Sequence, residues 1–440
     1  MSILKYLDLI IPSEWNKVRL ATIANIIDPE PSHRAPALAD GEGFPYIGIR
    51  DVNNDGTVNT VTARPIKEES LIEQEKRFKI DDGDLIFCRV ATLGNPKIIK
   101  IDKRVALSAT LALIKPKREK VNNIFLLYLL DSDYIKLQTE LYSTGSTRKS
   151  LGMETIRKFE VLVPPLDIQN AIAEYLFEKM TVLDNIIEGK KRSIELLEQQ
   201  RQSIITEAVT KGLNPNVKMK DSGVEWIGEI PEHWNVTKIK YNTYVKGRIG
   251  WQGLKSDEFV DEGPYLVTGT DFKNGYVEWS TCYHISEERY NEAPPIQLKE
   301  NDLLITKDGT IGKLAIVKDM PSKAILNSGV FVTRPVNEKY LSEYMYWLLS
   351  SNVFDKYISL METGSTIKHL YQETFVNFSY PLPSLKEQEE IVKCLNMKIN
   401  DIDNIAHLVK EQILKLKEYR QSLIYEAVTG KIDVREMELD

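Results

Sequence analysis

An internal repeat is the feature that most limits what this 440-residue chain can fold into. The run Ile204–Thr210 returns 219 residues later as Leu423–Thr429, and the same offset pairs Trp15 with Trp234. An ungapped comparison of 166–213 with 385–432 gives 19 identities in 48 positions, where chance would give roughly three. Repetition at a fixed period predicts that each copy is one structural unit. The chain is therefore predicted to consist of two related halves.

The likeness between the halves is uneven. It is high in 166–213 against 385–432 and thin in 12–165 against 230–383, so each half has a variable block followed by a constant block. The predicted segments are a first variable domain at 1–165, a first helix at 166–213, a linker at 214–229, a second variable domain at 230–383, a second helix at 384–435 and a tail at 436–440.

Both constant blocks have the signals of long helices. Pro164-Pro165 and Pro383 stand just before them, where proline is tolerated or ends the preceding element. Ser384 with Glu387 fits a capping box, and Gly212 and Gly430 stand where a helix is expected to end.

Inside each constant block, apolar residues alternate at intervals of four and three for about five heptads, which predicts a coiled coil. Two matching helices favour an antiparallel pair within one chain, and a homodimeric coiled coil is the alternative. Arg201 and Arg420 fall on the seam side, where they either fix the register or reach outward to solvent. Ile186 and Ile405 lie beside the seam and suggest a further helical partner. The helix positions expected to form the partner-binding surface are Ile172, Leu176, Leu183, Ile186, Ile194, Leu197, Arg201, Ile205, Ile391, Leu395, Ile402, Ile405, Ile413, Leu416, Arg420 and Ile424.

Each variable block mixes short strands with one longer helix, predicted at Asn123–Leu141 and at Glu338–Met361. Strands and helices in this proportion predict an α/β or α+β domain of about 150 residues, present twice.

Two loop patterns recur in the variable blocks. In the first, a basic residue follows an apolar strand and a Thr-Leu/Ile-Gly turn comes next, at Arg89–Gly94 and at Lys307–Gly312. In the second, hydroxyls, a glycine and a lysine follow the helix, at Thr144–Lys149 and at Thr363–Lys368. Such loops suit phosphate or base contact, and the second can form an anion-binding nest. The alternatives are an ordinary hairpin turn for the first loop and a polar helix-to-strand turn for the second.

Motifs of catalysis do not occur in this sequence. It contains no phosphate-binding Walker A loop, no dinucleotide-binding glycine motif and no Asn/Asp-Pro-Pro-aromatic motif of adenine methyltransferases. Its five histidines lack metal-ligand spacing, and its three cysteines lie far apart. With no apolar run long enough for a membrane span and no signal-peptide pattern, we expect a cytoplasmic protein. An enzyme whose site assembles from distant residues remains an alternative.

Several motifs resemble those of a known family. Asp221–Trp234 looks like the segment that opens a target recognition domain, and Ile11–Trp15 is a shorter version of it. Pro383–Gln388 resembles the family's entry into its conserved helix, and the first junction differs by having Ile168 before Gln169. Over essentially its whole length, the chain resembles the specificity (S) subunit of type I restriction-modification systems.

The resemblance implies a fold of two pseudo-twofold-related target recognition domains separated by two long antiparallel coiled-coil helices. Each domain would read one half of an asymmetric bipartite site in double-stranded DNA, and the helices would set the gap. The helices would also dock methyltransferase (M) subunits, two in number, which bind S-adenosylmethionine and methylate adenine at N6. A nuclease (R) subunit is a further expected partner. The resemblance implies no catalysis, no cofactor and no metal in this chain, no membrane contact, and a bacterial or archaeal cytoplasm.

Under this resemblance, the shared loops supply the candidate DNA contacts. Arg and Lys can bond guanine, and Thr can meet the thymine methyl group. The candidates are Arg50, Arg89, Thr92, Ser146, Thr147, Arg148 and Lys149 in the first domain, and Lys307, Thr310, Lys313, Ser365, Thr366 and Lys368 in the second. The net charge is −7, and no block is strongly basic. We therefore expect weak DNA binding by the isolated chain and tighter binding with methyltransferase subunits.

Two further alternatives stay open at this level. One is a specificity subunit of a modification-only or phage-exclusion system. The other is a coiled-coil adaptor with two protein-binding heads and no DNA binding.

Overall fold

A computed structural model describes residues 11–31, 36–146, 148–248, 254, 256–361 and 369–437. The chain divides into two compact units, one of Met1–Lys191 with Glu411–Asp440 and one of Arg192–Lys410. Each unit therefore combines one variable block with a part of each constant block.

The first unit contains nine described strands in three sheets. Antiparallel strands form a four-stranded sheet in the order β2-β8-β5-β6, a three-stranded sheet has the order β4-β3-β7, and β1 pairs with β9. The strands are β1 Asn16–Arg19, β2 Ala24–Ile27, β3 Phe44–Ile47, β4 Arg64–Ile66, β5 Leu85–Cys88, β6 Gly94–Ile98, β7 Ala106–Leu107, β8 Leu111–Pro116 and β9 Glu160–Val163. The helices are α1 Leu20–Ile23, α2 Glu68–Glu75, α3 Asn123–Asp131, α4 Asp133–Tyr142, α5 Met153–Arg157 and the start of α6 Leu166–Lys211, with 3-10 turns at Ile49–Asp51 and Val434–Glu436.

The second unit repeats this plan with additions. Its main sheet has the order β13-β21-β18-β19-β16-β15, a smaller one has the order β17-β14-β20, and two pairs are β12-β22 and β10-β11. The strands are β10 Met219–Asp221, β11 Glu229–Pro231, β12 Asn235–Lys238, β13 Thr243–Gly247, β14 Phe259–Val267, β15 Phe272–Lys273, β16 Tyr276–Val277, β17 Tyr283–Ile285, β18 Leu303–Thr306, β19 Leu314–Ile316, β20 Ala324–Leu326, β21 Val330–Pro335 and β22 Ser379–Leu382. The helices are α7 Ile239–Asn242, α8 Glu287–Asn291, α9 Ser342–Leu349, α10 Asn352–Met361, α11 Gln372–Val376 and α12 Leu385–Thr429, with 3-10 turns at Ser256–Glu258, Gly269–Asp271, Trp279–Thr281 and Pro294–Ile296.

The sequence repeat is also a repeat of structure. Strand β8 and strand β21 occupy matching positions, and each pairs with the matching neighbours, β2 and β5 in one unit and β13 and β18 in the other. Helices and mostly antiparallel strands build both units, as the predicted α+β class requires.

The single long helix predicted in each variable block is in fact two helices. Both interruptions fall on a serine, Ser132 and Ser351, whose hydroxyls donate to the carbonyls of Leu129 and Leu348 at 2.6 Å. A serine that bonds its preceding turn competes with the helix ladder, which explains why periodicity alone missed the breaks.

Glutamines of the long helices hydrogen-bond to the backbone at these two breaks. Gln421 of α12 donates to the carbonyl of Asp131 at 2.8 Å, and Gln202 of α6 donates to that of Ser350 at 2.9 Å. These carbonyls are available because a helix ends there.

Helix α12 begins with the predicted capping box, and the predicted glycines follow both long helices in the left-handed region, Gly212 after α6 and Gly430 after α12. Ser384 and Glu387 form the capping box, with the Ser384 hydroxyl donating to the Glu387 carboxylate at 2.7 Å. Burial disfavours the charge on Glu387, but hydrogen bonds from Trp234, His233 and Ser384 outweigh it and lower its pKa to about 2. Gly430 has φ +74°, and a Cβ there would lie 2.7 Å from Pro12 Cγ, so glycine is required.

Within each unit, the segments of α6 and α12 run antiparallel. In the first unit Arg420 of α12 pairs with Asp184 of α6 at 3.3 Å, and in the second Arg201 of α6 pairs with Asp403 of α12 at 3.3 Å. The 219-residue offset relates the two pairs. Of the two roles considered for these arginines, the ion pairs support fixing of the register.

A buried glutamine joins each long helix to the block before it. Gln169 accepts from the amide of Asn122 at 2.9 Å and donates to the carbonyls of Lys120 and Pro164 at 3.0 and 2.8 Å. Gln388 makes the same three bonds at the same offset, and both side chains are fully buried. A buried amide that satisfies three backbone groups fixes the direction in which the helix leaves the domain.

We predict that Gln169→Ala lowers the free energy of unfolding by about 2–3 kcal/mol, because it leaves buried backbone groups without hydrogen-bond partners. Urea unfolding followed by circular dichroism measures the change. Gln200→Ala, at an exposed position of the same helix, should stay within about 0.5 kcal/mol of the parent. Equal effects of the two changes would contradict the role given to Gln169.

Candidate DNA interface

The two recurring loops of the first unit lie side by side. Val90 and Ser150 form a β-bridge, the amide of Ala91 donates to the carbonyl of Lys149 at 2.9 Å, and the amide of Leu151 donates to that of Arg89 at 2.8 Å. Segments predicted separately, almost 60 residues apart in the chain, therefore form one surface.

The second unit joins the matching loops in the same way. Asp308 and His369 form the equivalent bridge, and the amide of Leu370 donates to the carbonyl of Lys307 at 2.7 Å. The arrangement belongs to the fold, because two units of divergent sequence share it.

The backbone of the first loop turns through the left-handed region. Gly94 and Gly312 have φ of +86° and +81°, as the shared glycine suggests. Ala91 has φ +67°, close to the φ of +70° at its counterpart in the second unit, which is a glycine, Gly309. An alanine in this region costs roughly 1–2 kcal/mol, and such strain is common at functional sites.

Five of the predicted DNA-contacting residues in the first unit are exposed. Thr92, Ser146, Arg148 and Lys149 stand on the joined loops, and Arg50 is exposed in the 3-10 turn after β3. The backbone bonds that join the two loops do not include Arg50. The exposed set on the loops offers two cations and two hydroxyls to a ligand.

Arg89 requires a correction. Its side chain is buried, Nε donates to the carbonyl of Ala109 at 2.9 Å, and Nη2 lies 3.2 Å from Asp28 Oδ2. A guanidinium held by a carbonyl and a carboxylate inside the domain is not available to a base, so Arg89 supports the loop and does not contact DNA.

In the second unit, the two described lysines among the predicted contacts each have a partner within the domain. Lys307 Nζ is 5.1 Å from the centre of the Phe331 ring, and Lys313 Nζ donates to the carbonyl of Gly269 at 3.0 Å. Thr310 is exposed, and its carbonyl accepts a bond from the Thr306 hydroxyl. Thr147, Ser365, Thr366 and Lys368 lie outside the described residues.

Two ionisable groups next to the first-unit loop also face inward. Burial lowers the pKa of Lys97, and the nearby negative charge of Asp55 offsets only part of this decrease. The Lys97 ammonium donates to the carbonyl of Val52. Burial raises the pKa of Cys88, and its thiol donates to the carbonyl of Val90. Neither group contributes a free charge to the surface.

A metal centre is not formed by the part of the chain that the structure describes, where no three His, Cys, Asp or Glu side chains are grouped suitably. Within the same residues, no helix combines the length and the apolar character needed to cross a membrane.

The predicted partner-binding positions on the long helices divide into four groups. Arg201 and Arg420 form the ion pairs described above, and Ile194, Leu197, Ile413 and Leu416 are half-buried, as at a two-helix seam. Eight others are buried in the cores of their own units, which corrects the expectation that they face a partner: Ile172, Leu176, Leu183, Ile205, Ile391, Leu395, Ile402 and Ile424.

Ile186 and Ile405 alone among these positions are exposed, by 42% and 49%. Other large apolar side chains are exposed on the same helices: Phe177, Val182, Leu414 and Tyr419 in the first unit, and Leu196, Met397 and Leu408 in the second. Sequence periodicity missed these because they lie away from the heptad seam.

A family model described as the type I restriction modification DNA specificity domain matches residues 12–199 and 249–415. The chain belongs to this family. Two matches in one chain agree with the two units seen in the fold.

Known relatives resemble the chain over nearly its full length. The type I restriction enzyme MjaVIII specificity subunit of Methanocaldococcus jannaschii is 24% identical, with 97% of this chain and 95% of the relative covered. The EcoBI specificity subunit of Escherichia coli is 23% identical, covering 96% and 87%. A solved structure from work on the assembly and conformational transition of the type I R-M system has TM-score 0.70 at 18% identity, covering 96% of this chain and all of that one, so it shares the fold.

We predict that Arg89→Met destabilises the first unit by about 3 kcal/mol, because it leaves the largely buried Asp28 carboxylate unpaired. Arg148→Met, the matched change at an exposed arginine of the joined loops, should shift stability by no more than about 0.5 kcal/mol. Thermal unfolding of both variants measures the difference. A stable Arg89→Met protein with reduced DNA binding would restore Arg89 as a contact.

Proposed function

We propose that this family member selects the DNA site for a type I restriction-modification complex, and that each unit reads one half of an asymmetric bipartite sequence. The observation that carries the proposal is that one fold presents the same joined loops twice, with different side chains. Two readers with different side chains require two different half-sites.

Within this proposal, the first unit contacts DNA through its joined loops. Arg148 and Lys149 bind phosphates, while Thr92 and Ser146 are placed to meet phosphates or base edges. Arg50, Thr310 and Lys313 remain candidate DNA contacts because of the hydrogen-bonding chemistry of their side chains. The same holds for Thr147, Ser365, Thr366 and Lys368. The chain's net charge of −7 supports a small number of phosphate contacts, with partners supplying much of the affinity.

The long helices are proposed to set the gap between the half-sites. Helix α6 has 46 residues, and at 1.5 Å per residue it is about 69 Å long. One turn of DNA is about 34–36 Å, so a helix of this length suits sites separated by about a turn.

The exposed apolar side chains of α6 and α12 are proposed to dock two methyltransferase subunits. Burial of such side chains against a partner would stabilise association, and patches of exposed apolar side chains are typical of protein–protein interaction sites. The partners would bind S-adenosylmethionine and methylate adenine N6, and a nuclease subunit would join for restriction. This chain would hold no catalytic group and no cofactor, and would work in a bacterial or archaeal cytoplasm.

The proposal is tested by methylome sequencing of the host with and without this gene. The gene should be required for methylation at one bipartite sequence. Replacing residues 12–165 with the corresponding block of another specificity subunit should change one half of that sequence and leave the other half unchanged. No gene-dependent methylation, or a change in both halves, would contradict the assignment.

Arg148→Ala with Lys149→Ala is expected to weaken DNA binding by the complex with methyltransferase subunits at every sequence. Each lost phosphate contact should reduce the slope of log affinity against log salt by about 1. Fluorescence anisotropy at several salt concentrations measures both effects. Lys76→Ala with Lys103→Ala makes the same charge change at exposed positions away from these loops, and should leave the slope almost unchanged.

Ile186→Glu and Ile405→Glu are each expected to weaken assembly with methyltransferase subunits, because a charge replaces an apolar contact. Size-exclusion chromatography with light scattering gives the stoichiometry, and each change should remove about one subunit at dilute concentrations. Gln200→Glu is the exposed control. Unchanged assembly in both isoleucine variants would place the docking surface elsewhere.

A further inference from the structure

Where the two loops of the second unit meet, a carboxylate and an imidazole are joined. His369 Nδ1 and Asp308 Oδ1 are hydrogen-bonded, and both side chains are partly exposed, by 35% and 44%. Leu370, between His369 and Tyr371, is buried, whereas the Tyr371 side chain is 66% exposed. The His369 and Tyr371 rings lie edge to face with centres 4.8 Å apart.

The fold does not need this polar pair. The equivalent bridge in the first unit is made by Val90 and Ser150, which have neither a carboxylate nor an imidazole. The same backbone arrangement therefore forms around different side chains. Burial does not explain the pair either, since both members reach solvent.

The two described lysines of this surface each contact a neighbouring group of the domain. Lys307 Nζ lies over the Phe331 ring, and Lys313 Nζ, on an exposed side chain, donates to the carbonyl of Gly269. Asp308, His369 and Tyr371 are polar groups that reach solvent where the described parts of the two loops join.

The chemistry of the pair selects what it can bind. Because an N–H must donate to the carboxylate, Nδ1 carries the proton, and the neutral ring then has Nε2 as an acceptor. Phosphates repel a carboxylate, whereas the amino groups of cytosine and adenine donate to such acceptors in the major groove.

We propose that Asp308 and His369 together read an exocyclic amino group, of adenine or cytosine, at one base pair of the second half-site. The inference rests on the proposed function and adds a specificity determinant to it. Asp308 orients the imidazole, and the side chains at Val90 and Ser150 give the first unit a different preference.

The test uses the complex with methyltransferase subunits and duplexes based on the site that the parent complex methylates. Asp308→Asn and His369→Gln should each reduce the preference at one base pair of the second half-site by roughly tenfold, with preferences in the first half-site unchanged. Ser150→Ala is the matched control and should leave the second half-site unchanged. Unaltered base preferences in both second-unit variants would overturn the inference, even where bipartite methylation by the parent upholds the proposed function.

A second measurement does not depend on any variant. Purine in place of adenine, or 2-pyrimidinone in place of cytosine, removes the amino group from the DNA. One such replacement in the second half-site should weaken binding of the parent complex by roughly tenfold and have little further effect on Asp308→Asn. Equal losses in the parent and the variant would show that the amino group is read by other residues.

Discussion

The burial of the long helices in the cores of the two units is the constraint on which the rest of the structure depends. Ile172 and Leu176 of α6 belong to the core of the first unit, and Ile391 and Leu395 of α12 belong to that of the second. Fully burying such side chains stabilises by about 1.5–3 kcal/mol each. Gln169 and Gln388 then fix how each helix leaves its domain, through backbone bonds that tolerate little displacement. A loop on a rigid domain can discriminate between bases only if that domain is held in this way.

In the joined loops, the side chains that support the loop differ from those that are available to a ligand. Arg89 stabilises its loop from inside, whereas Arg148 and Lys149 reach solvent. In the second unit Lys307 lies over the Phe331 ring, whereas Asp308 and His369 are partly exposed. A common backbone with exchangeable surface groups lets one fold recognise different sequences, because the groups that hold the loop are separate from those that contact the ligand.

Much of this could be predicted from the sequence. The repeat, the caps of α12 and the glycines that end the helices depend on local signals, and the structure contains all of them. The broken helices at Ser132 and Ser351 were missed because a side-chain hydroxyl and a carbonyl partner outweigh apolar periodicity. The eight buried isoleucines and leucines were assigned to a partner because periodicity shows which face is apolar and not what covers it. The sequence predicts Arg89 as a DNA contact for a related reason, since the Asp28 carboxylate that holds it is 61 residues away in the chain.

By itself, the sequence determined that the chain is a duplication, that each half ends in a long helix, and that the blocks before those helices diverged. These properties follow from identity at a fixed offset and from periodic spacing, which need no knowledge of distant contacts. Tertiary structure alone decided that the two recurring loops meet, that Arg89 is a supporting residue, and that Asp308 faces His369. Each of these depends on residues brought together from distant parts of the chain by the packing of strands β5, β8, β18 and β21, and local pattern has no information about which distant residues will meet.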